Sequence, residues 1–167
     1  MLKTKIMDTL TVSKQKAQEE YRNADAGGKI ILSNLFGRHH FFLDMAEWEE
    51  YITSRIKTIG DAFIQTGEDP NDPKFNQGTE DDIAFQQLKV IFKAFNPPDW
   101  KCDWSDGNQR KWAPWFRYDG TGFRFIGSFY GYVDAHTSGG SRLRLCSEKI
   151  SNYVGRQFEA VFNKFLK

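Results

Sequence analysis

Apolar residues recur at the three- and four-residue spacing of amphipathic helices before Pro97 and again after Ser147. Proline stops the first pattern because it cannot continue a helix, and serine is a favoured N-terminal cap for the second. We therefore predict a helical part over residues 27–97 and a closing helix over residues 148–167. The apolar positions are Ala84, Leu88, Ile91, Phe92 and Phe95 in the first pattern, and Ile150, Tyr153, Val154, Phe158, Val161, Phe162 and Phe165 in the second.

Helix starts are marked by capping boxes, in which the cap and the third helical residue bond to each other's backbone amides. The pairs with this spacing are Asp44 with Glu47, Thr58 with Asp61, and Thr79 with Asp82. At the N-terminus, residues 1–26 predict a charged helical arm that Gly27 and Gly28 interrupt. A short apolar helix follows, and Gly37 is expected to end it.

The pattern changes to strands after Pro98. Asp119-Gly120 is a hairpin signal between runs that are rich in aromatic residues. We predict an antiparallel meander of about four strands over residues 98–147, with strands near 113–118, 122–126, 128–133 and 141–146. The order of helices, meander and closing helix predicts an α+β fold, with the helices packed on one face of the sheet. A length of 167 residues fits a single domain.

Composition narrows the function classes. The formal net charge of +1 argues against a protein that holds duplex DNA through a large basic excess. The N-terminus lacks a secretory signal and no apolar run is long enough to span a bilayer, so we expect no membrane partner. Cys102 and Cys146 stand in no paired motif, which fits a reducing cytoplasm. Four of the five Trp lie between Trp100 and Trp115.

Strand alternation predicts one surface rich in arginine and aromatic rings. If Leu143 and Leu145 face the helices, the arginines beside them face away, and Arg124 does so between two phenylalanines. Arginine suits phosphate, and rings suit the stacking of bases. An ordinary solvated sheet face is the alternative, and at least two of the clustered tryptophans are expected to be core. The candidate ligand-binding residues are Trp100, Trp104, Trp112, Trp115, Arg117, Arg124, Tyr130, Tyr132, Arg142 and Arg144.

Catalytic and metal-binding signals are weak. His39, His40 and His136 have no ligand-spaced partners, so we expect no metal, no cofactor and no catalytic residues. The glycine-rich stretch Ser138–Ser141 lacks the lysine of a phosphate-binding loop. Gly122–Ile126 matches the stacking strand of the RNA-recognition fold poorly, because Thr121 stands where a basic residue belongs.

Several segments together carry a resemblance that covers nearly the whole chain. They are Asn23–Asp25, Gly28-Lys29, Asn34–Gly37, Arg55–Thr58, Trp100–Trp104, Lys111, Pro114–Phe116, Gly140–Leu143 and Tyr153–Phe158. In these the chain resembles an uncharacterised protein family of phages and mobile elements of gut bacteria, of the Bacteroidales type. The resemblance implies a phage-encoded accessory protein in the host cytoplasm, and it transfers no activity.

The leading hypothesis is a non-enzymatic binding protein that sequesters a nucleotide-like signalling ligand of host defence. The link to defence rests on the resemblance and on the absence of a catalytic constellation. One alternative is a protein-binding inhibitor of a host defence system, with residues 13–25 and 44–82 as contact surfaces. Under each hypothesis the chain could also form a homo-oligomer. A protein that binds single-stranded nucleic acid through the aromatic sheet face is the other alternative.

Overall fold

The computed structural model describes residues 12–37, 44–134 and 142–167. The chain divides into two compact units, Met1–Asp44 and Met45–Lys167. The prediction of a single domain over residues 1–167 therefore stays a prediction. In the described part of the chain, no helix has the length and apolar character needed to cross a bilayer.

The first unit contains two helices, α1 (Lys14–Asn23) and α2 (Ala26–Phe36). The side chain of Asp25 caps α2 by accepting a hydrogen bond from the Gly28 amide at 2.8 Å. The expected interruption is present, but it lies at Ala24 and Asp25, because the cap draws Gly27 and Gly28 into the first turn of α2. Gly37 ends α2 with a φ of 80°, as predicted.

The second unit contains five α-helices and a short 3-10 helix in its described residues. The Thr58–Asp61 capping box is formed in full, with the Thr58 amide donating to the Asp61 carboxylate at 2.8 Å. Thr79 and Ser147 also cap helices with their side chains, as predicted. The elements are α3 (Met45–Arg55), α4 (Ile59–Thr66), the 3-10 helix (Pro73–Phe75), α5 (Glu80–Phe95), α6 (Glu148–Gln157) and α7 (Glu159–Phe165).

The C-terminal segment forms two helices where the sequence predicts one. The helical path breaks at Phe158, which ends α6 and begins α7 with φ −112° and ψ 23°. The ring of Phe158 is buried and packs edge-on against Phe95 of α5. Glu159, the first residue of α7, accepts a hydrogen bond from the Phe125 amide at 2.9 Å. The break thus lets α7 start beside the sheet.

The sheet has two strands, β1 (Lys111–Tyr118) and β2 (Phe123–Gly131), paired antiparallel. The fold is α+β, but the four-stranded meander is wrong. The predicted strands 122–126 and 128–133 are one strand, and the described part of 141–146 contributes only a bridge between Leu145 and Trp112. Each of these two residues donates its amide to the other's carbonyl, at 2.8 and 3.0 Å.

A β-bulge in β2 decides which side chains share a face. Trp115 pairs with Gly127 and Phe116 with Phe125, so Ile126 is the extra residue. Gly127 has a φ of 153°, in the region where side chains are rarely found. An extra residue reverses the alternation beyond it. Tyr130 is therefore opposite Trp112 and not on the face of Arg124, which corrects the face predicted for it, while Tyr132 lies beyond the end of β2.

The core of the second unit lies where α5 meets α3, α4, α6 and α7. Ile52, Leu88, Ile91, Phe95 and Ile150 have no exposed surface. Trp48 is also buried, and its indole Nε1 donates to the Phe95 carbonyl at 2.8 Å. The indole N–H is the polar group of the Trp48 side chain, and this bond satisfies it inside the core.

Candidate functional site

Asn96 fixes the segment that carries the predicted arginines. It follows the last residue of α5, and its side-chain Nδ2 donates to the Arg144 carbonyl at 2.8 Å. Its Oδ1 accepts from the Cys146 amide at 2.9 Å. The Asn96 side chain therefore satisfies one carbonyl and one amide of residues 144–146, as a neighbouring strand would do in a sheet.

Arg144 is buried, contrary to the expectation that it faces outward beside Arg142. Only 2% of its surface is exposed, while Arg142 is exposed. Its guanidinium lies over the Phe129 ring, with Cζ 5.5 Å from the centroid. Among the described residues, its Nε and Nη2 have no hydrogen-bond partner. Burial lowers the pKa of Arg144, since a charge is poorly solvated there.

A basic cleft of about 550 Å³ lies beside this arginine. Its walls come from the ends of α4 and α5, from Asn96–Pro98 and Trp100–Cys102, and from Arg142 and Arg144. Trp100 is half-buried in the wall and supplies an aromatic surface. Five of the residues that line this cleft are basic, and no carboxylate is among the described lining residues. The basic residues are Lys89, Lys93, Lys101, Arg142 and Arg144, of which Lys93 is ion-paired with Glu68 at 3.0 Å.

The cleft contains a thiol that is held neutral. Cys102 lines the cleft, and burial raises the pKa of its thiol. Burial also raises the pKa of Cys146 to about 12. A nucleophilic cysteine needs the thiolate form at neutral pH. Burial therefore disfavours both cysteines as nucleophiles.

The other predicted tryptophans lie outside this cleft. Trp112 is buried against the Tyr130 ring, with centroids 4.8 Å apart. Trp115 is 49% exposed and packs edge-on against Phe129. Trp104 covers Lys111, whose Nζ is 5.3 Å from the ring centroid. Of the four clustered tryptophans, only Trp100 meets the predicted arginines in the cleft.

Lys111 is a fully buried lysine that the sequence did not single out as unusual. Its side chain is 0% exposed, and its Nζ donates to the carbonyls of Asp106 and Gln109 at 3.3 and 3.0 Å. The two carbonyls and the Trp104 ring face therefore surround Lys111 Nζ with groups that attract a cation. Lys111 therefore holds the loop of residues 101–110 in place.

The remaining predicted residues fall into two groups on the hairpin. Arg124 is ion-paired with Asp119 at 2.9 Å and with Glu159 at 3.0 Å, so its guanidinium is engaged within the protein. Arg117 is exposed and lies directly opposite Arg124.

The second group surrounds Arg110. Its guanidinium lies 5.0 Å from the Tyr130 centroid. It also lowers the pKa of Tyr132 through a hydrogen bond to the phenol. Tyr130 and Tyr132 are in contact, with ring centroids 5.3 Å apart.

Sequence reasoning missed the lysines of the cleft and Asn96. Lys89 and Lys93 are four residues apart on α5, a spacing that places both on one helix face. That signal was available beside the apolar stripe of the same helix. Asn96 gave no signal, because its two bonds reach residues about fifty positions away.

The histidines and the glycine-rich stretch cannot be placed. His39, His40, His136 and Ser138–Ser141 lie outside the described residues. Within residues 12–37, 44–134 and 142–167, no cluster of three potential metal ligands occurs.

Comparison of the chain with protein-family models, with curated proteins and with solved structures gave no match. The geometry of the described residues therefore carries the functional argument.

Proposed function

We propose that this chain is a binding protein that captures a nucleotide-like anion in the basic cleft. The observation that carries the proposal is that five basic residues and Trp100 line one cleft whose described lining has no carboxylate. The volume of about 550 Å³ is within the range of small-molecule sites, roughly 300–1,000 Å³.

Different residues would serve the two halves of such a ligand. Arg142 and Lys101 are exposed at the cleft, so they can meet phosphate oxygens without a large loss of their own hydration. Trp100 offers a ring on which a base can stack, and stacking is worth about 1–3 kcal/mol per base. Gln65 and Thr66 supply polar groups at the α4 end of the cleft.

The test is isothermal titration of the full chain against a panel of cyclic and linear nucleotides. We expect one of them to bind, and the double variant Lys101→Ala with Arg142→Ala to weaken that binding at least about tenfold, because two charge-assisted contacts are lost. The matched control removes two exposed positive charges of the first unit, Lys16→Ala with Arg22→Ala, and should bind like wild type. Absence of heat with every nucleotide removes the proposal.

The biological role belongs to the same proposal. Sequestration of a signalling nucleotide needs tight binding and no chemistry, and both cysteine thiols are held neutral by burial. The origin from a phage, the action in the host cytoplasm and the link to host defence rest on the resemblance described above. Expression of the chain in a host with a nucleotide-activated defence should lower the free signal, and the Lys101/Arg142 variant should not.

A partner protein is the second candidate, and an observation on α2 favours it. Ile30, Ile31 and Leu35 are 63%, 60% and 69% exposed, which is unusual for three large apolar residues on one short helix. Replacement of Ile31 and Leu35 by Asp should abolish co-purification of a specific host protein. Recovery of the same proteins with both forms would reject this candidate.

Single-stranded nucleic acid is the third candidate. Trp115 is half-exposed on the face of Arg117, but the engagement of Arg124 in ion pairs weakens that surface. Affinity for an oligonucleotide that falls steeply with salt, together with indifference to mononucleotides, would favour it.

A further inference from the structure

A second cavity, separate in chemistry from the basic cleft, lies at the free edge of β1. Ala113, Pro114, Trp115 and Phe116 all line it. Successive side chains of a strand point to opposite faces, so a cavity that touches four in a row lies along the strand's edge. Among the described residues, pairing at this edge stops at Trp112, where the bridge to Leu145 lies.

The lining of this cavity is apolar apart from one group. Helices α5 and α7 contribute Phe92, Phe162 and Phe165, and the far wall is formed by Leu143 and Phe129. The single charged residue among the described lining is Arg144. The volume is about 260 Å³, larger than an apolar cavity of about 150 Å³ that accommodates benzene. A ring or a chain of several methylenes therefore fits.

The two unpartnered nitrogens of Arg144 belong to the same edge of the guanidinium. Nε and Nη2 present two parallel N–H bonds, the fork that binds both oxygens of a carboxylate. An uncompensated buried charge destabilises a protein, whereas the same charge paired with an anion in good geometry does not. A planar anion attached to an apolar body therefore suits both the guanidinium fork and the apolar lining.

We propose that the apolar cavity binds a small monocarboxylic acid with an aliphatic or aryl body, whose carboxylate pairs with Arg144 Nε and Nη2. The body contacts the phenylalanine rings of α5, α7 and β2. The site goes beyond the proposed nucleotide site, since Lys101 and Arg142 line only the basic cleft, whereas Phe116, Phe129 and Phe162 line only this cavity. Phe92 and Arg144 are the residues that both share.

An added β-strand is a poorer occupant of this edge. The Trp112 amide and carbonyl point away from β2 to Leu145, and alternate residues of a strand point the same way. Pro114 stands two residues later, so the donor that an incoming strand would need there is missing. The edge therefore favours a ligand that needs no backbone bonds.

The test uses the full chain and three probes that separate charge from apolar contact. Octanoate carries both, 1-octanol carries only the chain, and acetate carries only the charge. We expect saturable one-to-one binding of octanoate by isothermal titration, about 10- to 100-fold tighter than 1-octanol, and no binding of acetate. Quenching of tryptophan fluorescence should follow the same order, because Trp115 lines the cavity. Equal affinity for octanoate and 1-octanol would overturn the proposal.

Two variants separate the parts of the site. Arg144→Met should reduce octanoate affinity to that of 1-octanol while the thermal midpoint stays or rises, because an unpaired buried charge is gone. Ala113→Leu narrows the cavity and leaves Arg144 in place, and should weaken both ligands together. Unchanged octanoate binding in either folded variant would contradict the assignment. If Arg144→Met does not fold, the probe series on wild type decides alone.

The outcome is distinguishable from that of the nucleotide proposal. The Lys101/Arg142 double variant should bind octanoate like wild type. Octanoate binding without any nucleotide binding would remove the proposed function and leave this site standing, and the reverse result would do the opposite.

Discussion

Asn96 offers the sharpest test of how the arginine segment is held. Asn96→Ala removes two hydrogen bonds, to the Arg144 carbonyl and from the Cys146 amide. Both bonds join α5 to a segment that has one bridge to the sheet among the described residues. The loss should therefore loosen residues 144–146.

The magnitude follows from the two groups left behind. A protein hydrogen bond contributes about 0.5–1.5 kcal/mol, and a buried group left without a partner costs about 1–3 kcal/mol. Asn96 is half-buried, so water can reach part of the vacated space. We expect a loss of about 2–3 kcal/mol, which for a chain of this length lowers the thermal midpoint by about 4–12 °C.

Tryptophan fluorescence is the suitable signal for this melt. All five tryptophans lie in the unit Met45–Lys167, so the signal reports that unit and not the N-terminal helices. Asn108→Ala, at an exposed position of the loop before β1, is the control and should change the stability by less than about 0.5 kcal/mol. A thermal midpoint of Asn96→Ala equal to that of the control would refute the reasoning.

Two further predictions concern the contact of the sheet with the C-terminal helices. Gly155→Ala places a methyl group against the Phe125 ring, and we expect it to lower the thermal midpoint. The overpacking costs about 1–3 kcal/mol, which should outweigh the gain in helix propensity of about 1 kcal/mol. Gly60→Ala is the control, because its methyl group meets no such obstacle, and it should be neutral or stabilising in thermal melts. Stability should also fall on acidification. The Phe125 amide lowers the pKa of Glu159, and the Thr121 side chain lowers the pKa of Asp119. Both carboxylates therefore stabilise the fold above their unfolded-state pKa values of 4.5 and 3.8, and this stabilisation is lost as the pH falls below those values. Urea midpoints measured from pH 6 to pH 2.5 should show a smaller decline in Glu159→Gln, and an identical decline would contradict the assignment.

Much of the helical structure was predictable because its signals are local. The caps at Thr58, Thr79 and Ser147 lie within a few residues of the groups that they satisfy. The same reasoning failed at Phe158, where apolar periodicity continues but α7 turns to meet the sheet. Apolar periodicity indicates which face of a helix is buried. It does not indicate that the residues before and after Phe158 pack against surfaces that lie in different directions.

The sheet was harder to predict because its register depends on one residue. The insertion of Ile126 reverses the alternation, and no residue near it announces a bulge except Gly127. At Arg144 the alternation argument failed for another reason. The segment 142–146 is held by Asn96 and one bridge instead of a ladder, so neighbouring side chains need not alternate between core and solvent.

The candidate site was predictable in part. Trp100, Arg142 and Arg144 were named from the sequence and meet at the basic cleft. The rest of that prediction assumed that one sheet face would collect all the rings and arginines. The structure distributes them among a cleft, a core contact and an ion-paired hairpin, and these depend on long-range packing that a linear pattern does not contain.

The buried ammonium of Lys111 gives the loop before β1 an uncommon kind of anchor. In many small proteins a stretch of this length is held by a disulfide or a bound ion, whereas here the Lys111 side chain donates hydrogen bonds to two carbonyls beneath the Trp104 ring. The anchor is part of the polypeptide, so neither reductants nor chelators remove it. An amine-reactive reagent reaches Lys111 Nζ only when the loop opens. The rate of modification of this lysine therefore measures how often the loop beside the proposed cleft unfolds locally.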